Sequence, residues 1–357
     1  MKIIRAIVFI INLIAALGLI ATTLAGIVSP SRSVLPSLLA YGYFPMLVVN
    51  VLFVLLWLLF GRWELLLSVA AIALRWYMVP LHFQVGGTTK VPPAEEHPYM
   101  VTMMTYNVHH FKGNDTEEKM NKDSVARLFV RLVRNESPDI LCLQEYGAVK
   151  RVNVTDSLTL LGYNHYAGSR STKAGVPYGS VVFSRLPITF VKAVDNHKVL
   201  VEVMRDGKRM RVLCVHMDSY GLDSNDFEAM DKIRHGEVNE VDRRTLDKVR
   251  TTVLNHEREW HEDIAPMIDG CTMPMVIAGD MNDIPSSWLY HRLTRTMKDT
   301  YVERGVGRGN TWGKDLATAV RIDMIMHNDS LNTLSHKRIK TPLSDHYPVL
   351  VALEFEI

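Results

Sequence analysis

Three long apolar runs fill most of the first 88 residues of this 357-residue chain, at about 6–28, 38–60 and 65–83. A helix that crosses a bilayer needs about 20 mostly apolar residues. The runs therefore predict three transmembrane helices within 1–88. A signal peptide also starts with basic residues and an apolar core. Its core is only about 7–15 residues long, and its removal would leave the second and third runs unexplained. Arg75 lies inside the third run and reads as a side chain snorkelling toward headgroups beside Trp76 and Tyr77. Lys2 and Arg5 favour a cytoplasmic N-terminus, and three crossings would then carry the rest of the chain to the outer face. Pro92, Pro93, Glu95 and Glu96 mark a linker at 89–98.

From residue 99 to 357 the pattern changes. Short β-branched apolar runs alternate with polar turns, and some are separated by helical stretches. Such a sequence predicts an α+β or layered α/β domain, and two face-to-face sheets with helices outside fit the strand count. The formal net charge is +2, so no global field argues for wrapping a nucleic acid. Cys142 and Cys214 sit inside strand-like runs and read as buried thiols. With Cys271 they form no metal-binding spacing, which argues against zinc. The charged stretch at 224–264 reads as solvated surface helices, with a substrate-selecting arm as the alternative.

Strand ends carry the chemistry. Asn107 follows MVTMMTY, Glu145 follows ILCLQ, and His216 follows RVLCV. Asp280 and Asn282 follow MVIAG, Asp323 lies in VRIDMIM, and Asp345 and His346 precede YPVLVAL. If these strands meet at one sheet edge, carboxylates, amides and imidazoles converge on one pocket. Carboxylate and amide oxygens suit Mg²⁺ or Mn²⁺, and such cations commonly bind substrate phosphate. Asp323 is a plausible partner to orient His346.

Seven segments occur in an order that resembles the endonuclease/exonuclease/phosphatase superfamily. They are TYNV (105–108), PDILCLQE (138–145), YGSVVFSRLPI (178–188), VLCVHMDS (212–219), MVIAGDMNDIPSS (275–287), RIDMIM (321–326) and SDHYPVLV (344–351). The resemblance spans essentially all of 99–357. It implies a four-layer sandwich of two mixed β-sheets flanked by helices, and Mg²⁺-dependent phosphoester hydrolysis, with Mn²⁺ as the other cation.

By motif, Glu145, Asn107 and Asp345 would hold the metal. Asp280 would orient or deprotonate water, and Asn282 would bind phosphate. His346, paired with Asp323, would stabilise or protonate phosphate, and His216 would contact phosphate or act as acid. Some relatives carry Asp after the Asn-Val pair. Here His109-His110 follows instead and reads as a surface turn. The expected substrate is a phosphate ester: nucleic acid, phospholipid headgroup or soluble ester. The lipid bilayer is the other expected partner, with no obligate protein partner. The alternative is an inactive membrane-tethered binding module of the same fold.

Overall fold

The computed structural model describes residues 2–114, 120–172, 175–221, 240–313 and 319–356. Contacts divide the chain into two compact units. The first comprises Met1–Leu81, Asp218–His261 and Asp283–Leu293; the second comprises His82–Met217, Glu262–Asn282 and Thr294–Ile357. The sequence suggested a single cut near residues 89–98. The chain instead returns twice to the first unit.

The second unit contains the sheets. Its strands are β1 (Phe83–Gln84), β2 (Met100–Asn107), β3 (Ile140–Tyr146), β4 (His165–Ser171), β5 (Pro177–Ser184), β6 (Ile188–Ala193) and β7 (Lys198–Arg205). They continue as β8 (Lys208–His216), β9 (Met275–Asp280), β10 (Lys298–Asp299), β11 (Gly307–Arg308), β12 (Asp323–His327), β13 (Leu331–Arg338) and β14 (Val349–Phe355). One six-stranded sheet runs β13-β14-β2-β3-β5-β4 and the other β10-β12-β9-β8-β7-β6. Both are mixed: β2 and β3 pair in parallel, as do β8 and β9, among antiparallel neighbours.

Alternation along the strands explains the layering. Met103, Ile140 and Cys142 join Val201, Cys214 and Ala278 in the core between the sheets. Their sequence neighbours Met104, Leu141 and Leu143 face the other way and pack with Phe129 and Val133. Both of those lie on helix Lys122–Glu136, capped by Asn121, whose side chain accepts from the Ser124 N–H. Central strands buried on both faces need apolar residues throughout, so β3 reads as an unbroken run.

The N-terminal helices of the first unit are built the other way round. Helices Lys2–Ala21, Tyr43–Leu59 and Leu65–Leu74 pack on one another through Ala16, Leu19, Tyr43 and Ala71. Polar groups lie inside this bundle. Asn12 donates to Ser68 Oγ and accepts from the Trp57 indole at 2.8 Å, while Asn50 donates to the Ala15 carbonyl at 3.0 Å. Ile3, Ile7, Ile14, Leu52, Leu58 and Leu66 point outward and are exposed.

The expectation of three spans needs correction. Among the described residues one helix, Lys2–Ile27 with 26 residues, is long and apolar enough to cross a membrane. The second run breaks at Tyr41-Gly42 into Leu35–Ala40 and a 17-residue helix. The third is helical for only ten residues, because Arg75 ends it and Trp76–Leu81 continues as a 3-10 turn containing Pro80. At 1.5 Å per residue these give about 26 Å and about 15 Å, short of the roughly 30 Å hydrocarbon core. The multi-pass reading, and the outer-face placement drawn from counting three crossings, lose that support. Arg75 does not snorkel either. It is 1% exposed, donates to Thr22 Oγ1 and the Tyr77 hydroxyl, and stands over the Tyr43 and Tyr77 rings.

The charged stretch at 224–264 lies partly outside the described residues. Its helix Glu240–Glu259 is not simply solvated: Glu257 accepts from the Ser31 N–H at 2.6 Å and from Ser29 Oγ.

His336 on β13 gives the sheet unit a defined acid sensitivity. Thr300 Oγ1 donates to the Ile325 carbonyl at 2.8 Å, so His336 Nδ1, 3.0 Å away, must donate to Thr300. Burial, despite the Asp299 charge, pushes this imidazole down to about 4. The folded state thus keeps it neutral while the unfolded state takes up a proton below about pH 6.5. Stability is retained above that pH and falls as pH drops from about 6.5 to 4, by about 3 kcal/mol. Thermal unfolding of the full chain in detergent should show a smaller loss between pH 7 and 4.5 for His336→Asn than for the parent. An equal loss would contradict this assignment.

Candidate active site at the strand ends

Backbone register builds the site. In the β8–β9 parallel pair His216 stands opposite Asp280, and in the β9–β12 antiparallel pair Asp280 stands opposite Asp323. Gly279 allows this close approach, since a Cβ there would lie 1.9 Å from the Val215 carbonyl oxygen. On the other sheet β2 ends at Asn107, and a bulge in β3 between Leu143 and Tyr146 re-aims Glu145, whose φ is 52°. The segment carrying Asp345 and His346 is pinned by Ser344, whose hydroxyl donates to the Asn107 carbonyl at 2.8 Å.

Seven of the eight side chains named from the sequence meet here through polar contacts. Asn107 Nδ2 donates to Glu145 Oε1 at 3.2 Å and to Asp280 Oδ2 at 3.1 Å. His216 Nε2 lies 3.9 Å from both of those carboxylates. His346 Nδ1 is 2.8 Å from Asp323 Oδ2, and its Nε2 is 3.7 Å from Asp280 Oδ2. Asp345 joins beside Ser344, whose Oγ shares its one hydrogen between the Asn107 carbonyl and Asp345 Oδ1, 3.1 Å away, while Trp312 Nε1 donates to Oδ2 at 3.2 Å. Asn282 is turned aside: its Nδ2 donates to the Met217 carbonyl at 2.9 Å, and its backbone N–H donates to Asp280 Oδ1.

Electrostatics separates the acids. Burial, reinforced by Asp280, raises the Asp323 carboxyl against the pull of His346. Burial alone would lower His346, but the charges of Asp323 and Asp280 outweigh it and push the imidazole up to about 10. Burial also opposes ionisation of Asp345, yet the His346 and His109 imidazoles and the Trp312 bond hold it below the usual carboxylate range.

Two donor sets could hold a cation. Asp280, Asp323 and His346 are buried, with ligand atoms within 4.8 Å of one another. In that set Asp323 and His346 are already spent on each other. Glu145 and Asp345 are more open, with side chains 24% and 31% exposed, and supply hard carboxylate oxygens; the Asn107 Oδ1 that would join them accepts here from the His109 N–H. This second set fits a hard divalent cation by its chemistry.

Sequence reasoning missed several groups. Thr311 Oγ1 accepts from the Ile322 and Asp323 backbone N–H groups and so fixes the start of β12. Neither Thr311 nor Trp312 lies in a recognisable motif. His109-His110 is not a free surface turn: His109 Nδ1 is 3.2 Å from Asp345 Oδ1, and His110 Nε2 is 3.3 Å from Glu145 Oε2.

Comparison with known proteins places the chain. The model of the Endonuclease/Exonuclease/phosphatase family matches residues 104–346. A second family model, Domain of unknown function (DUF8431), matches residues 5–82. No curated protein matches the sequence. Similar solved structures include an endonuclease/exonuclease/phosphatase from Beutenbergia cavernae, at 18% identity and TM-score 0.49, covering 72% of each chain. One from Bacteroides vulgatus is also 18% identical with TM-score 0.49, covering 72% of this chain and 99% of its own. The human Nocturnin catalytic domain with bound sulfate is 15% identical with TM-score 0.49, covering 74% of this chain and 100% of its own. The structural likenesses are too distant to carry an argument about activity. The first family model spans more than half of the sequence and takes in every strand-end residue named above, and the chain belongs to the Endonuclease/Exonuclease/phosphatase family.

Proposed function

We propose that this protein is a metal-dependent phosphoester hydrolase held at a membrane by its first unit. The observation that carries the reading is the convergence of Asn107, Glu145, His216, Asp280 and the Asp323–His346 pair at one edge of the sandwich. An inactive binding module would not need an imidazole bonded to a buried carboxylate within 3.7 Å of a second one.

Glu145, Asn107 and Asp345 would hold Mg²⁺ or Mn²⁺, which when bound supplies positive charge to phosphate oxygens. The remaining roles follow from position. Asp280 Oδ2 is held by the Asn107 amide and is the carboxylate placed to orient and deprotonate water. Asp323 fixes the His346 ring, leaving Nε2 directed to the same place, where it can donate to a phosphate oxygen. His216, partly exposed at the rim, is placed to contact phosphate or to protonate the leaving oxygen. Asn282 would bind phosphate after turning from Met217. The ester class, whether nucleic acid, lipid headgroup or soluble ester, is a matter for a substrate panel.

Membrane anchorage rests on the inverted packing of the first unit. In its helices Lys2–Ala21, Tyr43–Leu59 and Leu65–Leu74 the polar side chains Asn12, Asn50 and Ser68 are inside and large aliphatic side chains outside, which suits hydrocarbon rather than water. The full chain should remain in the membrane pellet after alkaline carbonate extraction; release into the supernatant would contradict the anchor.

Hydrolysis of bis-p-nitrophenyl phosphate by the full chain should require Mg²⁺ or Mn²⁺ and stop on chelation. Glu145→Gln and His346→Gln should each lower turnover by roughly 10²-fold or more. Undiminished turnover in either variant would sink the assignment. Asp323→Asn should lower kcat by about 10²-fold with little change in KM, because the ring loses its orientation while binding groups remain. A change confined to KM would remove Asp323 from this role.

A further inference from the structure

The edge beside His216 carries two basic side chains that the proposed chemistry does not use. Arg170, near the end of β4, stands opposite Tyr178, near the start of β5. His197 lies in the turn between β6 and β7. Hydrogen bonds fasten that turn to β5 and β8. Ser169 Oγ accepts from the Ser180 N–H at 3.1 Å and donates to the Asn196 carbonyl at 2.8 Å. The His197 carbonyl accepts from Ser180 Oγ and, at 3.0 Å, from the His216 N–H. Gly179, with φ of 85°, makes room for this, since a Cβ there would lie 2.7 Å from Ser169 Oγ. The His197 ring is thereby held at 75° to the His216 ring, with 5.9 Å between centroids.

Neither of these side chains has an ion-pair partner among the described residues. Arg170 lies over the Tyr178 ring, 5.9 Å from its centre, and its Nε is buried without an acceptor. A buried donor left unpaired costs free energy, more so when it belongs to a charged group. The His197 ring is exposed and makes no hydrogen bond among the described residues. The acid of this turn, Asp195, is engaged elsewhere. Its Oδ1 accepts from the His197 N–H at 2.7 Å, and its Oδ2 pairs with Lys198 Nζ at 2.7 Å. Burial holds the His197 imidazole below its ordinary value, and the charges of His216, Arg170 and Lys198 add to this against the pull of Asp195. Arg170 is thus near enough to act on His197. Unpaired donors beside a residue placed at the substrate phosphate are what a second anion requires.

We propose that Arg170 and His197 form a subsite for a second phosphate on the substrate, on the His216 side of the ester that is cleaved. The placing of the first phosphate rests on the hydrolase reading given under the proposed function. The subsite narrows the substrate to phosphate esters in which one substituent is itself phosphorylated. An ester ending in a neutral or cationic group would leave Arg170 unpaired. A guanidinium suits this task because its planar fork matches phosphate oxygens, and the Tyr178 ring beneath it supports the plane. The exposed His197 ring adds one N–H donor from the opposite strand pair. The second phosphate does not react, so its contribution appears in binding.

The test compares thymidine 3′,5′-bisphosphate with thymidine 3′- and 5′-monophosphate. Binding to the full chain in detergent is read by isothermal titration, with Ca²⁺ in place of Mg²⁺ so that turnover plays no part. A second pair, inositol 1,4-bisphosphate against inositol 1-phosphate, separates a lipid headgroup source from a nucleotide. In one of these sets the parent should bind the bisphosphate roughly 10-fold or more tighter than the monophosphates. Arg170→Gln/His197→Gln should bring that ratio to within about twofold of unity. Arg170→Lys keeps the charge but loses the fork, and should lower the ratio about threefold even if the double variant does not fold. No bisphosphate preference in either set would overturn the proposal. So would a preference that Arg170→Lys and the double variant retain in full, or a loss of affinity equal for bisphosphate and monophosphates. A protein that shows the preference but hydrolyses no ester would sink the hydrolase reading and leave this subsite standing.

Discussion

The amide of Asn107 ties the strand-end site together. It belongs to the end of β2 and donates both to Glu145, on its own sheet, and to Asp280, on the other. Its carbonyl accepts from Ser344 and its side-chain oxygen accepts from the His109 N–H. One buried residue, through its side chain and its backbone carbonyl, thereby ties β2 to three segments that lie far from it in sequence. A buried amide must satisfy its donors and acceptors or cost free energy, so this position tolerates little displacement. The inter-sheet core brings the two sheets into contact; Asn107 sets where their ends meet.

The same logic orders the second tier of the site. Thr311 anchors the start of β12, Asp323 holds His346, and Trp312 and Ser344 hold Asp345. Burial raises the Asp323 carboxyl, while neighbouring imidazoles lower Asp345. Two carboxylates of similar chemistry are thus driven in opposite directions by their surroundings, which is how one pocket can hold groups with different tasks.

Much of this was legible in the sequence because strands buried on both faces leave an unmistakable apolar run, and the polar residue that ends each run stands out. Glu145, His216 and Asp280 are of this kind. Contacts that depend on backbone conformation were not legible. Three left-handed residues in a row give no compositional sign, so His109-His110 looked like a turn at the surface. Thr311 and Trp312 act from a loop whose partners are fixed only by folding. In the N-terminal unit the apolar runs do contain helices, but three spans do not follow from them, because helix length is not legible in the pattern. The pattern does not show that Gly42 and Arg75 cut the second and third runs. The inverted packing around Asn12, Ser68 and Trp57 is likewise a property of three dimensions.

The central claim is that this edge directs water to phosphorus. The direct measurement is turnover of a phosphodiester in ¹⁸O-labelled water, with mass analysis of both products. Attack at phosphorus places one ¹⁸O in the phosphoryl product and none in the released alcohol. Label in the alcohol fragment, or no hydrolysis with Mg²⁺ or Mn²⁺ across nucleotide, lipid and soluble esters, would contradict the account.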